Sequence, residues 1–377
     1  MIYRTKQHEY RIAYYSESNS PFCKDNKKHE CILTSNERGR YHFWSDGKKI
    51  DLNEHDKKII AEAKTGDIFW VTDSRRLSPR FDSSEDDATI FMGGNCNSNC
   101  MMCPASEYER REDYHIERSC ISEFVQMLPA WLSHYVVTGG EPTLDPKLFL
   151  EVMSDLAEHI PYAEALLLTN GRSFTYKAFL DKMLQKCPQH LTAAVPVHGS
   201  TPAVHDRIIR VDGGFAQTMQ GIRNLLNGGI AVEIRIVVTR LNMGDIDNIA
   251  ALIADQFPEV IVVNFINLEV RGSCFTNRDQ VYLTPEESFR SSRNAIDRLI
   301  ASGIDVGLYN YPLCSIEESY WTLNHNSITP SKIRYYDVCD KCDVKKYCGG
   351  FFVSSKNTVH PLAKPIRNGA NVNDKSL

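Results

Sequence analysis

Three cysteines in Cys96-Asn-Ser-Asn-Cys100-Met-Met-Cys103 fall at a C-x3-C-x2-C spacing. One tight loop at that spacing can present three thiolates to three iron atoms of a cubane and leave the fourth iron without a protein ligand. Thiolates are soft, anionic ligands suited to iron and sulfide, and a four-iron cluster ordinarily takes four of them. Cysteine is 12 of 377 residues, so the triplet would arise by chance about once in a hundred such chains. Zinc is the rival reading, but a structural zinc site closes with a fourth Cys or His. The closest candidate is His115, at no usual spacing. The same chain carries Thr138-Gly139-Gly140-Glu141-Pro142-Thr143 some thirty residues on. Two side-chain-free residues there let backbone groups approach a ligand closely, and Glu141 and Pro142 fix the turn.

The surroundings of these motifs set the fold. From about residue 89, short strand-like runs alternate with longer stretches of helical period, each pair taking roughly thirty to thirty-five residues. The strands are expected at Thr89 to Gly94, His134 to Thr138, Glu164 to Thr169, Leu191 to Val197, Val232 to Thr239 and Val260 to Leu268. Helices are expected at Ser119 to Trp131, Pro146 to Ile160, Tyr176 to Cys187, Phe215 to Asn227, Gly244 to Phe257 and Pro285 to Ser302. The last is announced by the capping sequence Thr284-Pro285-Glu286-Glu287. The expected fold class is α/β, a partial (βα)6 TIM-like barrel spanning 86–305. A small N-terminal α+β domain at 1–85, a docking or lid element, precedes it. That domain has β-like runs at Tyr10 to Tyr15 and Asp67 to Thr72, a helix at Leu52 to Lys64, and an acidic linker at residues 83–87. A cysteine-rich extension spans 306–366 and a flexible tail 367–377. Ligands of α/β sheets gather at the carboxyl ends of strands, where the cysteine loop, Gly139 to Glu141 and Thr169-Asn170-Gly171 all fall.

Composition narrows the class further. A net charge of -5 and a pI near 6.2 argue against a polyanion-binding surface, so nucleic acid is excluded as a partner. The first residues carry no apolar signal core, and no run of eighteen apolar residues appears, which points to a cytoplasmic protein without a membrane partner. Twelve cysteines in a reducing compartment read as metal ligands and buried thiols. Cys23, Cys31, Cys120 and Cys187 take no assignment. The last two are expected as buried small side chains on helices.

Together the cysteine loop, with apolar Met102 before its last cysteine, and the GGEP segment resemble the radical S-adenosylmethionine (SAM) superfamily. The resemblance implies that Cys96, Cys100 and Cys103 hold a 4Fe-4S cluster and that its open iron chelates SAM through the amino nitrogen and carboxylate. It implies reductive cleavage of SAM to a 5′-deoxyadenosyl radical able to abstract unactivated hydrogens. The implied cofactor-binding residues are Met102 near the adenine, Gly139, Gly140, Glu141 and Pro142 at the ammonium group, and Asn170 at the ribose. The same resemblance implies that Val238, Thr239 and Asn242 border the adenine. For Asn170 the alternative is a plain turn with Gly171 at positive φ. Arg235, in an apolar run, either holds the cofactor's carboxylate or belongs to a structural ion pair. His198, His205 and Asp206 either touch substrate or are solvated loop polarity.

A second dense cluster, Cys339-Asp-Lys-Cys342-Asp-Val-Lys-Lys-Tyr-Cys348, is preceded by Cys314. These four resemble the SPASM and twitch extensions of radical SAM enzymes, which implies one auxiliary iron-sulfur cluster. A four-cysteine zinc knuckle is the competitor, and Cys274 is an alternative to Cys314. Several segments resemble the His-Xaa-Ser system radical SAM maturases of the C type. They are Cys96 to Pro104, Val204-His205-Asp206 to Thr218, Tyr309-Asn310 with Leu313-Cys314, and Cys348-Gly-Gly-Phe-Phe. Ala105-Ser106 after Cys103-Pro104 departs from the Pro-Gln continuation of that subgroup. The resemblance implies oxidative modification, such as a crosslink, of a ribosomally made precursor peptide or protein. It also implies a second radical SAM maturase, a small partner protein and an electron donor such as a flavodoxin or ferredoxin. A radical SAM enzyme acting on a small molecule or carrier, and a non-catalytic iron-sulfur or zinc scaffold, are the alternatives.

Overall fold

Runs rich in Val, Ile and Leu form strands where both faces are covered, and six such runs, with two further short strands, make up a sheet after residue 86. In the computed structural model these are β1 (Asp87–Phe91), β2 (His134–Thr138), β3 (Glu164–Leu168), β4 (Leu191–Pro196), β5 (Ala231–Val237), β6 (Val262–Ile266), β7 (Asp305–Tyr309) and β8 (Asn324–His325). Their order follows chain order, and the registers of β1 with β2, β2 with β3, and β5 through β8 in turn are parallel. The structure describes residues 11–16, 32–35, 41–45, 48–51, 53–64, 66–71, 77–111, 116, 118–357 and 363–367. Cys23, Cys31, the extreme N-terminus and the tail beyond residue 367 lie outside them.

This is the α/β partial-barrel class that the βα rhythm implies, with two strands more than the six expected. Asp305–Tyr309 reads DVGLY, too short and too interrupted by Gly307 to register as a strand from pattern alone, and β8 has two residues. The expected helices are present with slightly shifted ends: Arg118–Met127, Pro146–His159, Lys177–Leu184, Gly214–Asn227, Ile246–Gln256 and Pro285–Ala301. Cys187 lies past the end of its helix and is half-buried rather than enclosed on it, whereas Cys120 is buried. Among the described residues no helix is long and apolar enough to cross a membrane.

The described residues divide into two compact units. One comprises those up to 96 with 110–168 and 178–192; the other comprises 97–109, 169–177 and 193 onward. The first unit contains a six-stranded sheet in the order Lys48–Asp51, Tyr41–Ser45, Ile32–Ser35, Arg11–Ser16, Ile68–Val71, Leu77–Phe81, together with helix Glu54–Ala61. Buried carboxylates pin its loops. Asp56 accepts from Asn53 Nδ2 at 2.6 Å and Leu77 N at 3.3 Å. Asp67 accepts from the amides of Lys64 and Ser83, each at 2.8 Å.

The second unit shows the strand alternation that shapes a lumen. Ile234, Ile236, Val263, Phe265 and Leu308 on one face are fully buried. Arg235, Asn264 and Gly307 sit side by side on the other face, with Glu233 and Tyr309 in the same phase. After β8 the chain continues in 3-10 turns and a two-stranded ribbon of Ile333–Arg334 with Phe351–Phe352.

Candidate active site

In the first unit the segment after β2 runs beside the segment after β1. Gly140 N donates to Gly93 O and Glu141 N to Asn95 O, both at 2.8 Å, and Met92 N donates to Thr138 O at 2.7 Å. A Cβ on Gly139 would sit 2.6 Å from Gly93 O, and one on Gly140 would sit 2.2 Å from the carbonyl oxygens of Gly94 and Asn95. The glycine pair therefore lets two backbones touch at the strand ends. Glu141 is buried, and its Oε1 accepts from Thr143 N at 3.1 Å and Thr143 Oγ1 at 2.6 Å, capping the 3-10 turn Pro142–Leu144. Met92, Gly93, Asn95, Glu141 and Pro142 line a pocket of about 390 Å³. Cys96, next along the chain, donates its amide to Arg110 O.

The rest of the cysteine loop belongs to the second unit and is held from two sides. Asn99 N and Met101 N donate to Ile209 O and Ile208 O at 3.0 and 2.9 Å, at the end of helix Pro202–Ile209. Opposite, Cys274 N donates to Cys103 O at 3.0 Å, Ser273 N to Ala105 O at 3.2 Å, and Asn277 Nδ2 to Met101 O at 3.0 Å. Gly272, at φ +51°, makes this possible, since a Cβ there would lie 2.4 Å from Pro104 O. Met101 and Met102 are buried in an apolar cluster with Ile208, Leu268, Val270, Cys274 and Val281, against which Cys100 packs. Cys274 thus stands beside Cys103 rather than with the second cysteine set. Burial pushes its thiol up to about 12.

The half-buried Asn170 side chain is engaged by the protein itself. Nδ2 donates to Asn97 Oδ1 at 2.7 Å, and Oδ1 accepts from Arg172 N at 3.0 Å. Thr239 and Asn242 are fully buried and satisfy each other: Thr239 N and Oγ1 both donate to Asn242 Oδ1, whose Nδ2 donates to His198 O and Val237 O. Arg235 is ion-paired, its Nε 2.5 Å from Glu233 Oε1, so the charge within the apolar run is compensated. His198 and His205 are buried rather than solvated, with His198 N donating to His205 Nδ1 at 3.2 Å. Burial holds His198 well below the usual imidazole range and pushes His205 down to about 4. Asp206 accepts from Gly213 N and Phe215 N, a clasp at the start of helix Gly214–Asn227.

Arg172 went unnoticed in the sequence reading. Its Nη1 donates to Asn97 O and Ser98 Oγ, both at 3.0 Å, and its Nε to Gln217 Oε1 at 2.7 Å. No periodicity or motif flags it; only the position after Thr169-Asn170-Gly171 at a strand end could have drawn attention.

Cys314, Cys339, Cys342 and Cys348 line one pocket with Tyr335 and Phe351. Each is on or beside a 3-10 turn. Cys348 Sγ accepts from the amides of Leu313 and Gly350, and Cys342 Sγ from that of Ile366, all at 3.4 Å. Burial raises the Cys314 and Cys348 thiols. The four-sulfur donor set, with amide hydrogen bonds to two of the sulfurs, has the chemistry to hold either an iron-sulfur cluster or a four-cysteine zinc ion.

Residues 90–253 match the family model described as the Radical SAM superfamily; the interval contains both the cysteine loop and GGEP. The mycofactocin maturase MftC of Mycobacterium ulcerans (strain Agy99) is 28% identical over 180 residues, 47% of this chain and 46% of that one. The Fe-coproporphyrin III synthase of Methanosarcina barkeri (strain Fusaro / DSM 804) is 24% identical over 250 residues, 62% and 56% respectively. The antilisterial bacteriocin subtilosin biosynthesis protein AlbA of Bacillus subtilis (strain 168) is 23% identical over 205 residues, 53% and 42%. The chain spans about half the length of the curated relatives it matches.

Proposed function

We propose that this chain, whose residues 90–253 match the Radical SAM superfamily model, is a radical SAM enzyme that oxidatively matures a ribosomally made peptide or protein. The observation that carries the reading is the coincidence of the family match with an intact cysteine loop and GGEP, each tied down by its own backbone hydrogen bonds. Cys96, Cys100 and Cys103 would hold a 4Fe-4S cluster, and Cys314, Cys339, Cys342 and Cys348 an auxiliary one. When bound, the first cluster would supply the electron for reductive cleavage of SAM, the electron coming from the donor protein, and the second would take up an electron or ligate substrate.

The chain's own residues do the rest. Met102, buried under the loop, offers an apolar wall for the adenine. Gly139, Gly140, Glu141 and Pro142 shape a pocketed strand end where a ligand ammonium would meet backbone rather than bulky side chains. Asn170 and Thr239 support the cofactor from behind through their internal hydrogen bonds, and Arg235 with Glu233 gives the lumen wall a compensated charge. His198 and His205, buried as neutral rings, line the β4 end.

A peptide substrate is favoured by the MftC and AlbA relatives, whose names assign them to mycofactocin maturation and subtilosin biosynthesis. Within that class the His-Xaa-Ser type fits the segments from Cys96 to Phe352 quoted above. Its partners would be a second radical SAM maturase, a small protein and a flavodoxin or ferredoxin, in the reducing cytoplasm where thiolate ligands stay reduced. A second reading, a small-molecule substrate, is favoured by the Fe-coproporphyrin III synthase relative.

The test is anaerobic co-expression with a neighbouring His-Xaa-Ser precursor and partner proteins, reading the precursor's mass, with Cys100→Ala as control. Loss of hydrogen pairs that depends on Cys100 supports a peptide maturase. Normal deoxyadenosine production with an unchanged precursor supports the small-molecule reading. Deoxyadenosine formation surviving in Cys100→Ala overturns the assignment of the radical-generating site.

A further inference from the structure

We infer that Arg172 is a positioning residue for the Cys96–Cys103 loop, fixing the loop's geometry and setting its guanidinium charge against the Asn97–Ser98 turn; this rests on the radical SAM reading above. The guanidinium is a fork with three acceptors: Asn97 O, Ser98 Oγ and Gln217 Oε1. Asn97 and Ser98 are the residues that separate the first cysteine from Asn99-Cys100, so the fork grips the turn joining two ligands. Asn170 grips the same turn by its side chain, Nδ2 to Asn97 Oδ1. Asn97 is thereby held through both main chain and side chain.

The platform carrying Arg172 is itself stiff. Gly171 takes φ +77° at the end of the strand-to-turn connection, and the 3-10 turn Arg172–Thr175 starts with Arg172 N donating to Asn170 Oδ1. Helix Gly214–Asn227 closes over it. A Cβ on Gly221 would lie 2.1 Å from Gly171 O, Asn224 Nδ2 donates to Phe174 O at 2.8 Å, and Thr218 Oγ1 donates to Asn170 O at 3.3 Å. A side chain anchored in this way transmits position rather than following the loop.

Arginine is required on two counts. Its planar fork reaches a carbonyl, a hydroxyl and an amide oxygen at once, which the point charge of lysine does not. Its charge is permanent, and a fixed cation favours the more negative, reduced state of a thiolate-ligated cluster, raising its reduction potential. Geometry and charge therefore separate in two variants: Arg172→Lys keeps the charge and loses the fork, and Arg172→Met loses both.

The experiment uses the full chain reconstituted with iron and sulfide under anaerobic conditions. The first cluster is recognised by the change in its electron paramagnetic resonance signal when SAM is added, and its midpoint potential is measured by redox titration. Iron release to a ferrous chelator is timed in parallel. Both Arg172 variants should release iron from this cluster about 10-fold faster or more, the usual scale for outer-sphere partners of metal ligands. Only Arg172→Met should show a clearly lowered potential. Gln217→Leu leaves the charge and frees one arm of the fork, so faster release at near-parental potential is expected. It decides the matter if Arg172→Met fails to fold. Parental release rates in all three variants, or equal potentials in the Lys and Met variants, overturn the inference. A parental protein with no SAM-responsive signal, or a signal that persists in Cys100→Ala, overturns instead the reading of the cysteine loop.

Discussion

At Gly140 an added methyl group would sit 2.2 Å from the carbonyl oxygens of Gly94 and Asn95, well inside van der Waals contact with two backbone atoms that have no freedom to retreat. Gly140→Ala should cost about 1–3 kcal/mol, the usual range for overpacking, read by denaturant unfolding. It should also weaken SAM binding, because residues 93–95 lead directly into Cys96. Two buried imidazoles make a second residue-scale prediction. His205 Nδ1 must be unprotonated to accept from His198 N, and burial pushes the ring down to about 4 from an ordinary 6.5. The unfolded chain therefore binds more protons than the folded one between those values. Stability is fully present above about pH 6.5 and falls on the order of 3 kcal/mol by pH 4. In His205→Asn, where Oδ1 replaces Nδ1 as acceptor, unfolding midpoints compared at pH 7 and 4.5 should show a shallower loss; an equal loss would refute the role of His205. From the sequence these histidines could be placed at the end of a strand but not inside the protein, because burial depends on what packs over them: Phe215 stands 5.7 Å from the His205 ring. The cysteine loop was legible for the opposite reason, since its spacing is local.

Among the elements, helix Pro285–Ala301 illustrates local determination. Thr284 Oγ1 accepts from Glu287 N at 3.2 Å and Glu287 Oε2 accepts from Thr284 N at 2.9 Å, with Pro285 at the first helical position. Thr284→Ala removes one half of this box and should lower stability by about 1 kcal/mol, while leaving SAM cleavage unchanged because the box's hydrogen bonds are exposed and involve no cysteine. Thermal unfolding paired with a deoxyadenosine assay checks both halves. That helix start could be read from four residues. Strand β7 could not: Asp305–Tyr309 is a strand because Val263 and Phe265 of β6 offer it a ladder, Val263 pairing with Val306 and Phe265 with Leu308. Gly307 carries no side chain because Asn264 Oδ1 occupies the space, 2.2 Å from where a Cβ would be. The segment Leu268 to Asn277 was equally opaque. Gly272, at φ +51° against Pro104 and Ala105, is a glycine whose need appears only once the cysteine loop is laid across it.

For the whole molecule, the two cysteine sets meet one connected stretch of structure. Cys274 N holds Cys103 O, Glu269 five residues earlier pairs with Lys332 Nζ at 3.3 Å, and Ile333 then joins Phe352 in the ribbon that follows Cys348. The link is physical but weak. The lysine is about half exposed, and an ion pair of that kind contributes at most about 1 kcal/mol. The backbone bonds around Cys103 do not involve the second set. Dismantling the second set should therefore leave the first intact. In the double variant Cys339→Ser, Cys342→Ser, iron after reconstitution should fall from about eight to about four atoms per chain. The SAM-responsive signal and uncoupled deoxyadenosine formation should persist, while modification of the substrate is lost. Zinc would give a different pattern: parental protein would carry about four irons and one zinc, and the double variant would lose only the zinc. Metal analysis of the two proteins side by side separates these outcomes. Loss of the SAM-responsive signal in the double variant would mean that the weak link carries more coupling than its exposure allows.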